Sequence, residues 1–199
     1  PRDLHSFPTR RSSDLYSKLL NKFQDPVGRF AMGLINAFFG NSRFANKHAR
    51  PFILKAAGTT IGKDCMIMKM EVNGSFKNLS IGHNTWINRN SLIECHGKVE
   101  IGNYVGIGPN FTVISTTHEI GTKYARCSEV LLYQYVTIGN GVWIGSNCFV
   151  GSNITIEDGC VISAGTVLQK SFPKNSIVAG NPGRLISHIE DDLLTPENE

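Results

Sequence analysis

From Ile61 onward an aliphatic residue returns at a nearly fixed interval: Ile61, Ile67, Ile81, Ile87, Ile93, Ile101, Ile107 and Val113, then Ile138, Ile144, Val150, Ile156, Ile162 and Leu168. Between 138 and 168 the spacing never departs from six, although isoleucine, leucine and valine supply fewer than one residue in four. A continuous helix would repeat at about 3.6 residues and a continuous strand at about two, so neither fits. A short strand, a corner and another short strand do fit, with three such faces closing a prism-like coil of about eighteen residues. Glycine follows the aliphatic at Gly62, Gly82, Gly102, Gly108, Gly139, Gly145 and Gly151. The fourth residue after it is small or branched at Val105, Val142, Cys148, Ile154, Cys160 and Thr166, which lets the chain turn without crowding the axis. About five coils at a strand spacing of about 4.8 Å predict a column roughly 25 Å tall.

The rest of the chain lacks this beat. Residues 5–15, HSFPTRRSSDL, are similar to the conceptual translation of a sequencing adapter, and residues 1–15 are set aside as carrying no chemistry. Residues 16–57 have helical spacing in places, with Phe30, Leu34, Ala37 and Phe38 able to share a face, and predict one or two helices. Their apolar run, 31–39, is far shorter than the roughly 20 residues of a bilayer crossing. It is expected to pack within the protein's own assembly, with weak contact at a membrane surface as the second reading. Residues 58–188 form the repeat domain, and 189–199 an acidic tail.

Length and composition suit a single globular domain. The formal charge of +4 falls only to +3 without residues 1–15, and its cations are too scattered to predict nucleic-acid binding. The five cysteines show no CxxC spacing, which points to a reduced, cytoplasmic setting and away from a disulfide framework or a zinc site.

Val113 and Ile138 lie 25 positions apart where six would continue the pattern, so about 19 residues leave the column, with the excursion expected at 119–137. A solenoid keeps its walls regular and places function on such loops. This one opens with Ser115-Thr116-Thr117-His118 directly after a predicted strand, which holds His118 against a rigid wall. Imidazole, with a pKa near neutrality, suits the removal of a proton from an attacking hydroxyl.

The repeats I101-G-N-Y-V-G-I-G-P-N and I138-G-N-G-V-W-I-G-S-N and the ending S176-I-V-A-G-N-P-G-R resemble the hexapeptide-repeat acyltransferases over about residues 58–188. The resemblance implies a mainly β fold, a left-handed parallel β-helix, whose handedness the periodicity alone does not give. It implies an acetyl-CoA-dependent O-acetyltransferase acting on a saccharide hydroxyl, in capsule, exopolysaccharide or lipopolysaccharide production, without a metal. His118 matches the family's general base, and Ser146, after W143-I-G, the backbone N–H that stabilises the oxyanion. Asn88 matches an acceptor contact, although asparagine is also a favoured corner residue. His96 stands where galactoside-type enzymes carry an acidic acceptor contact, a departure that leaves the acceptor open. Trp143 reads as a platform for the thioester arm or as corner packing, Ala164 as a backbone contact to pantetheine, and Lys170 and Arg184 as phosphate contacts. The family is typically trimeric, with active sites between subunits. Alternatives are an N-acyltransferase on an amino-sugar nucleotide, an antibiotic acetyltransferase, a non-enzymatic scaffold, and a zinc carbonic anhydrase. The last needs three histidines, and beyond His83 and His118 the third position holds Lys123.

Overall fold

The computed structural model describes residues 12–40 and 42–190, with side chains from residue 25. Short strands wind around three faces. The first carries Thr60–Ile61, Leu79–Ile81, Lys98–Ile101, Tyr135–Ile138 and Ile154–Ile156. The second carries Met66–Ile67, Trp86–Ile87, Gly106–Ile107, Trp143–Ile144, Val161–Ile162 and Ser176–Ala179, and the third Met70–Gly74, Ser91–Cys95, Thr112–Ile114, Phe149–Val150 and Val167–Leu168. Neighbours within each ladder pair in parallel. Arg184–His188 folds back antiparallel on Ser176–Ala179 and ends the second face. With six parallel strands on that face, the column is a coil taller than the periodicity predicts.

Register explains the beat. Ile67, Ile87, Ile107, Ile144, Ile162 and Val178 stand in one line across the second face, all pointing inward and all buried. Full burial of each such side chain is worth about 1.5–3 kcal/mol. The small residues at the fourth position are buried too, and several close a corner by hydrogen bonding. Thr85 Oγ1 donates to the Gly102 carbonyl at 2.8 Å, Cys65 Sγ to that of Gly82 at 3.0 Å and Cys148 Sγ to that of Ser163 at 3.2 Å. This is a local use for cysteine: all five thiols are unpaired, and burial raises the pKa of Cys65, Cys148 and Cys160 and pushes that of Cys95 up to about 12.

Two helices cover the lower end of the column, as an open solenoid end requires. Helix α1 is Ser12–Phe38 and α2 is Arg50–Ala57. The first begins inside the segment set aside on sequence grounds, of which residues 1–11 lie outside the described residues, as do 191–199 of the acidic tail. Gly28 permits close packing of the pair, since a Cβ there would stand 2.5 Å from that of Ala57. Asn36 Nδ2 donates to the Met70 carbonyl at 2.8 Å and Arg29 to that of Gly74 at 2.9 Å, which fixes α1 against the third face. Arg50 is wholly buried and its guanidinium donates to the side-chain oxygens of Asn36 and Asn46 and to the Phe39 carbonyl near the end of α1. The inward surface of α1 carries Gly28 and Met32. Phe30, Leu34 and Phe38 share a face as expected, but that face points outward.

Candidate active site

The excursion is a β-hairpin. Thr116–Ile120 and Cys127–Tyr133 pair antiparallel, with Thr116 opposite Tyr133, His118 opposite Leu131, and a bulge between His118 and Ile120. It starts earlier and ends earlier than 119–137. Tyr135–Ile138 is already wall, because Val136 pairs with Val99 and Ile154 and is buried. The hairpin leaves the edge between the third and first faces, where the two coils below are also widened, at 74–78 and 95–97.

Glu94 clamps the hairpin's root. This buried carboxylate turns Oε2 to the Ser115 N–H at 2.9 Å, the Thr116 N–H at 3.1 Å and the Thr116 hydroxyl at 2.9 Å, while Oε1 accepts from the His96 N–H at 2.9 Å. Ser115, also buried, donates from Oγ to the Glu94 carbonyl at 3.0 Å and accepts from the Gly97 N–H at 3.0 Å. Gly97 is required there: a Cβ would stand 2.1 Å from the Gln134 carbonyl oxygen and 2.7 Å from that of Ser115.

Two residues beyond the clamp, the exposed His118 ring has Nδ1 2.6 Å from the Ser128 carbonyl oxygen. A carbonyl only accepts, so Nδ1 carries the proton and Nε2 of the neutral ring keeps a free lone pair. Cross-strand partners share a face, so Thr116, His118, Leu131 and Tyr133 project to one side of the hairpin. Tyr133 also lines a cleft of about 270 Å³ with His96, Lys77, Asn78 and Tyr135. His96 Nε2 lies 3.9 Å from Glu94 Oε1.

The other nominated residues sit on the edge between the second and third faces. Trp143 is exposed on the second face, and with Trp86, also exposed, it flanks Gly106 in a groove of about 200 Å³ that Asn88 and Gly108 help to line. Asn88 accepts the Arg89 N–H through Oδ1 at 2.8 Å, which leaves its NH₂ group without an acceptor among the described residues. The Ser146 and Ala164 N–H groups likewise have none. Each lies directly over a glycine of the coil below: a Cβ on Gly108 would stand 2.7 Å from the Ser146 nitrogen, and one on Gly145 2.6 Å from that of Ala164. Arg184 is exposed at the top of this edge, following Gly183, whose N–H donates to the Val167 carbonyl at 2.8 Å. Lys170 lies elsewhere, beyond the third face, with Nζ over the Phe172 ring at 5.5 Å.

The nominated residues therefore form two groups on two edges of one column: His96, His118 and Lys170 on one, Asn88, Trp143, Ser146, Ala164 and Arg184 on the other. Glu94, Ser128 and Tyr133 join the first group. His83 is on the remaining corner, where Nδ1 accepts the Lys63 N–H at 3.0 Å, so it does not converge with His118. A cleft of about 530 Å³ between α1 and the lower third face is lined by none of the nominated residues.

A column of six-residue turns with a histidine-bearing hairpin defines a class, the hexapeptide-repeat acyltransferases, and comparison with known proteins agrees. The family of bacterial transferase hexapeptide (six repeats) matches residues 135–170. The galactoside O-acetyltransferase of Escherichia coli K12 is 33% identical over 153 residues, spanning 77% of this chain and 75% of that protein. Among solved structures, a galactoside acetyltransferase in complex with coenzyme A superposes with a TM-score of 0.69 at 31% identity, covering 84% of this chain and 83% of the other. A maltose O-acetyltransferase from Clostridium difficile 630 gives 0.68 at 29%, covering 83% and 88%. The chain belongs to the hexapeptide-repeat acyltransferases: it is an acyltransferase enzyme built on a left-handed parallel β-helix.

Proposed function

We propose that the enzyme transfers an acetyl group from acetyl-CoA to a hydroxyl of a saccharide or polysaccharide precursor, with His118 as general base. The observation that carries this reading is the exposed ring whose Nδ1–H is given to the Ser128 carbonyl, since Nε2 is then the nitrogen able to accept a hydroxyl proton. As Nε2 takes that proton, the hydroxyl oxygen attacks the thioester carbonyl carbon. The carbonyl oxygen becomes an oxyanion, for which the open Ser146 N–H is a preset donor. Collapse breaks the carbon–sulfur bond, the proton on Nε2 passes to the departing sulfur, and an acetyl ester and free CoA leave.

The base and the oxyanion donor stand on different edges, so one protomer's hairpin edge works against the edge between a neighbour's second and third faces. Such a contact is heterologous, and a trimer repeats it around a closed ring. The exposed Val130, Leu131 and Tyr133 on the hairpin support a covering partner. In this arrangement Trp143 and the Ala164 amide take the pantetheine arm, Lys170 and Arg184 the phosphates, and Asn88 and His96 the acceptor. Relatives named for galactoside and maltose support a sugar hydroxyl. The unpaired thiols suit the reduced, cytoplasmic setting in which saccharide precursors are assembled.

The test is free-thiol release from acetyl-CoA over a panel of mono- and disaccharides, with the matching amino sugars in parallel. Turnover confined to hydroxyl acceptors is the expected result. Turnover only with amines, or CoA binding with no sugar accepting acetyl, removes the saccharide O-acetylation reading.

A further inference from the structure

The outer face of the N-terminal helical unit is left uncovered by the fold. Along α1, Val27, Phe30, Leu34 and Phe38 recur at spacings of three and four and are all exposed, and past the turn Phe39, Phe44 and Phe52 follow. Phe30, Phe38, Phe44 and Phe52 each show more than two-thirds of their surface. Phenylalanine is among the most buried residue types, and a concentration of exposed aromatic side chains marks a contact surface.

Charge argues for the kind of partner. From residue 26 to residue 63 the chain contains no aspartate or glutamate, yet it carries Arg29, Arg43, Lys47, Arg50, Lys55 and Lys63. Arg50 is buried and Arg29 is engaged with the Gly74 carbonyl. Arg43, Lys47 and Lys55 are exposed and make no ion pair among the described residues. They alternate with the aromatics: Arg43 adjoins Phe44, Lys47 lies one position before His48, whose ring is 5.3 Å from that of Phe44, and Lys55 follows Phe52 by three. A second copy docking this face on itself would bring cations against cations. An anionic lipid surface complements both features at once, with phenyl rings at the headgroup–acyl boundary and the three cations on headgroup phosphates. Among the described residues no helix is long and apolar enough to cross a membrane, so the geometry is that of a surface contact.

We propose that the outer face of α1 and α2 docks the enzyme on an anionic membrane surface. The proposal does not depend on the identity of the acceptor. Its test is co-sedimentation of the full chain with phosphatidylcholine vesicles and with vesicles containing roughly one-third phosphatidylserine, across a range of salt. Binding is expected to the anionic vesicles alone and to fall steeply with ionic strength. Phe30→Gln, Phe38→Gln and Phe44→Gln are each expected to weaken it about tenfold, and Arg43→Gln, Lys47→Gln and Lys55→Gln about fivefold each. Because these side chains are exposed, thermal melts and activity on a soluble acceptor should not change, which separates lost docking from lost folding. Equal or absent binding to both vesicle types overturns the proposal. So does a set of phenylalanine variants that changes the sedimentation coefficient of the free protein and not its vesicle binding, which would assign the face to a second copy.

Discussion

Replacing Glu94 with glutamine changes one oxygen for an NH₂ group and leaves the shape intact. Turned one way, the amide oxygen keeps Ser115 and Thr116 and the NH₂ group meets the His96 N–H; turned the other way, three donors face a donor. The better orientation loses one hydrogen bond and converts three charge-assisted ones, worth about 1.5–3 kcal/mol each, into neutral ones worth about 0.5–1.5. A summed loss of about 4–8 kcal/mol follows, and it is local, because the column does not rest on this carboxylate. Amide hydrogen exchange reads it directly: protection over 116–133 should fall by about 10³-fold or more, down to that of an open hairpin, while that over 138–168 stays unchanged. As His118 sits two residues past the clamp, kcat should fall with it. KM for acetyl-CoA should hold, since the Ser146 edge is untouched. Unchanged hairpin protection refutes the clamp, and a frayed hairpin with full kcat refutes its link to His118.

Four further outcomes are expected. Gly108→Ala places a methyl group 2.7 Å from the Ser146 nitrogen and should lower kcat by about 10²–10³, the usual effect of losing an oxyanion donor, whereas Gly106→Ala, whose Cβ would come only to 3.8 Å from the Trp143 ring, should be near wild type in the same thiol-release assay. Arg50→Met leaves Asn36, Asn46 and the Phe39 carbonyl without their buried donor and should cost about 3–5 kcal/mol in denaturant unfolding. Native protein should react with an aromatic disulfide reagent at Cys127 alone, the one exposed thiol. The Cys95 pKa is raised from 9.0 to about 12 on folding, so its contribution to stability is complete below pH 9 and is lost as pH rises toward 12, a decline that denaturant midpoints measured across that window would show.

The column was legible because its packing rule is periodic. Every aliphatic at the six-residue spacing from Ile138 to Leu168 is buried, and so are Val105, Val142, Cys148, Ile154, Cys160 and Thr166. The hairpin was visible only as a broken beat, and its limits were misjudged because Val136, an inward residue, precedes the aliphatic used to mark the return. Glu94 escaped notice because nothing local distinguishes a buried acid from a surface one: its donors, Ser115 and Thr116, come from the next coil. The Ser128 carbonyl that fixes the His118 tautomer depends on pairing across a bulge, which no spacing reveals. The division of site residues between two edges is a matter of which face each coil has reached, and it emerges once the widened corners at 74–78 and 95–97 are counted.

The proposed proton transfer rests on the Nε2 lone pair of His118. The direct measurement is kcat of His118→Ala against wild type at saturating acetyl-CoA and acceptor, with CoA affinity measured separately by calorimetry. Loss of a general base should lower kcat by about 10²–10⁴ while CoA binds as before. A variant that turns over at the wild-type rate would contradict the mechanism outright.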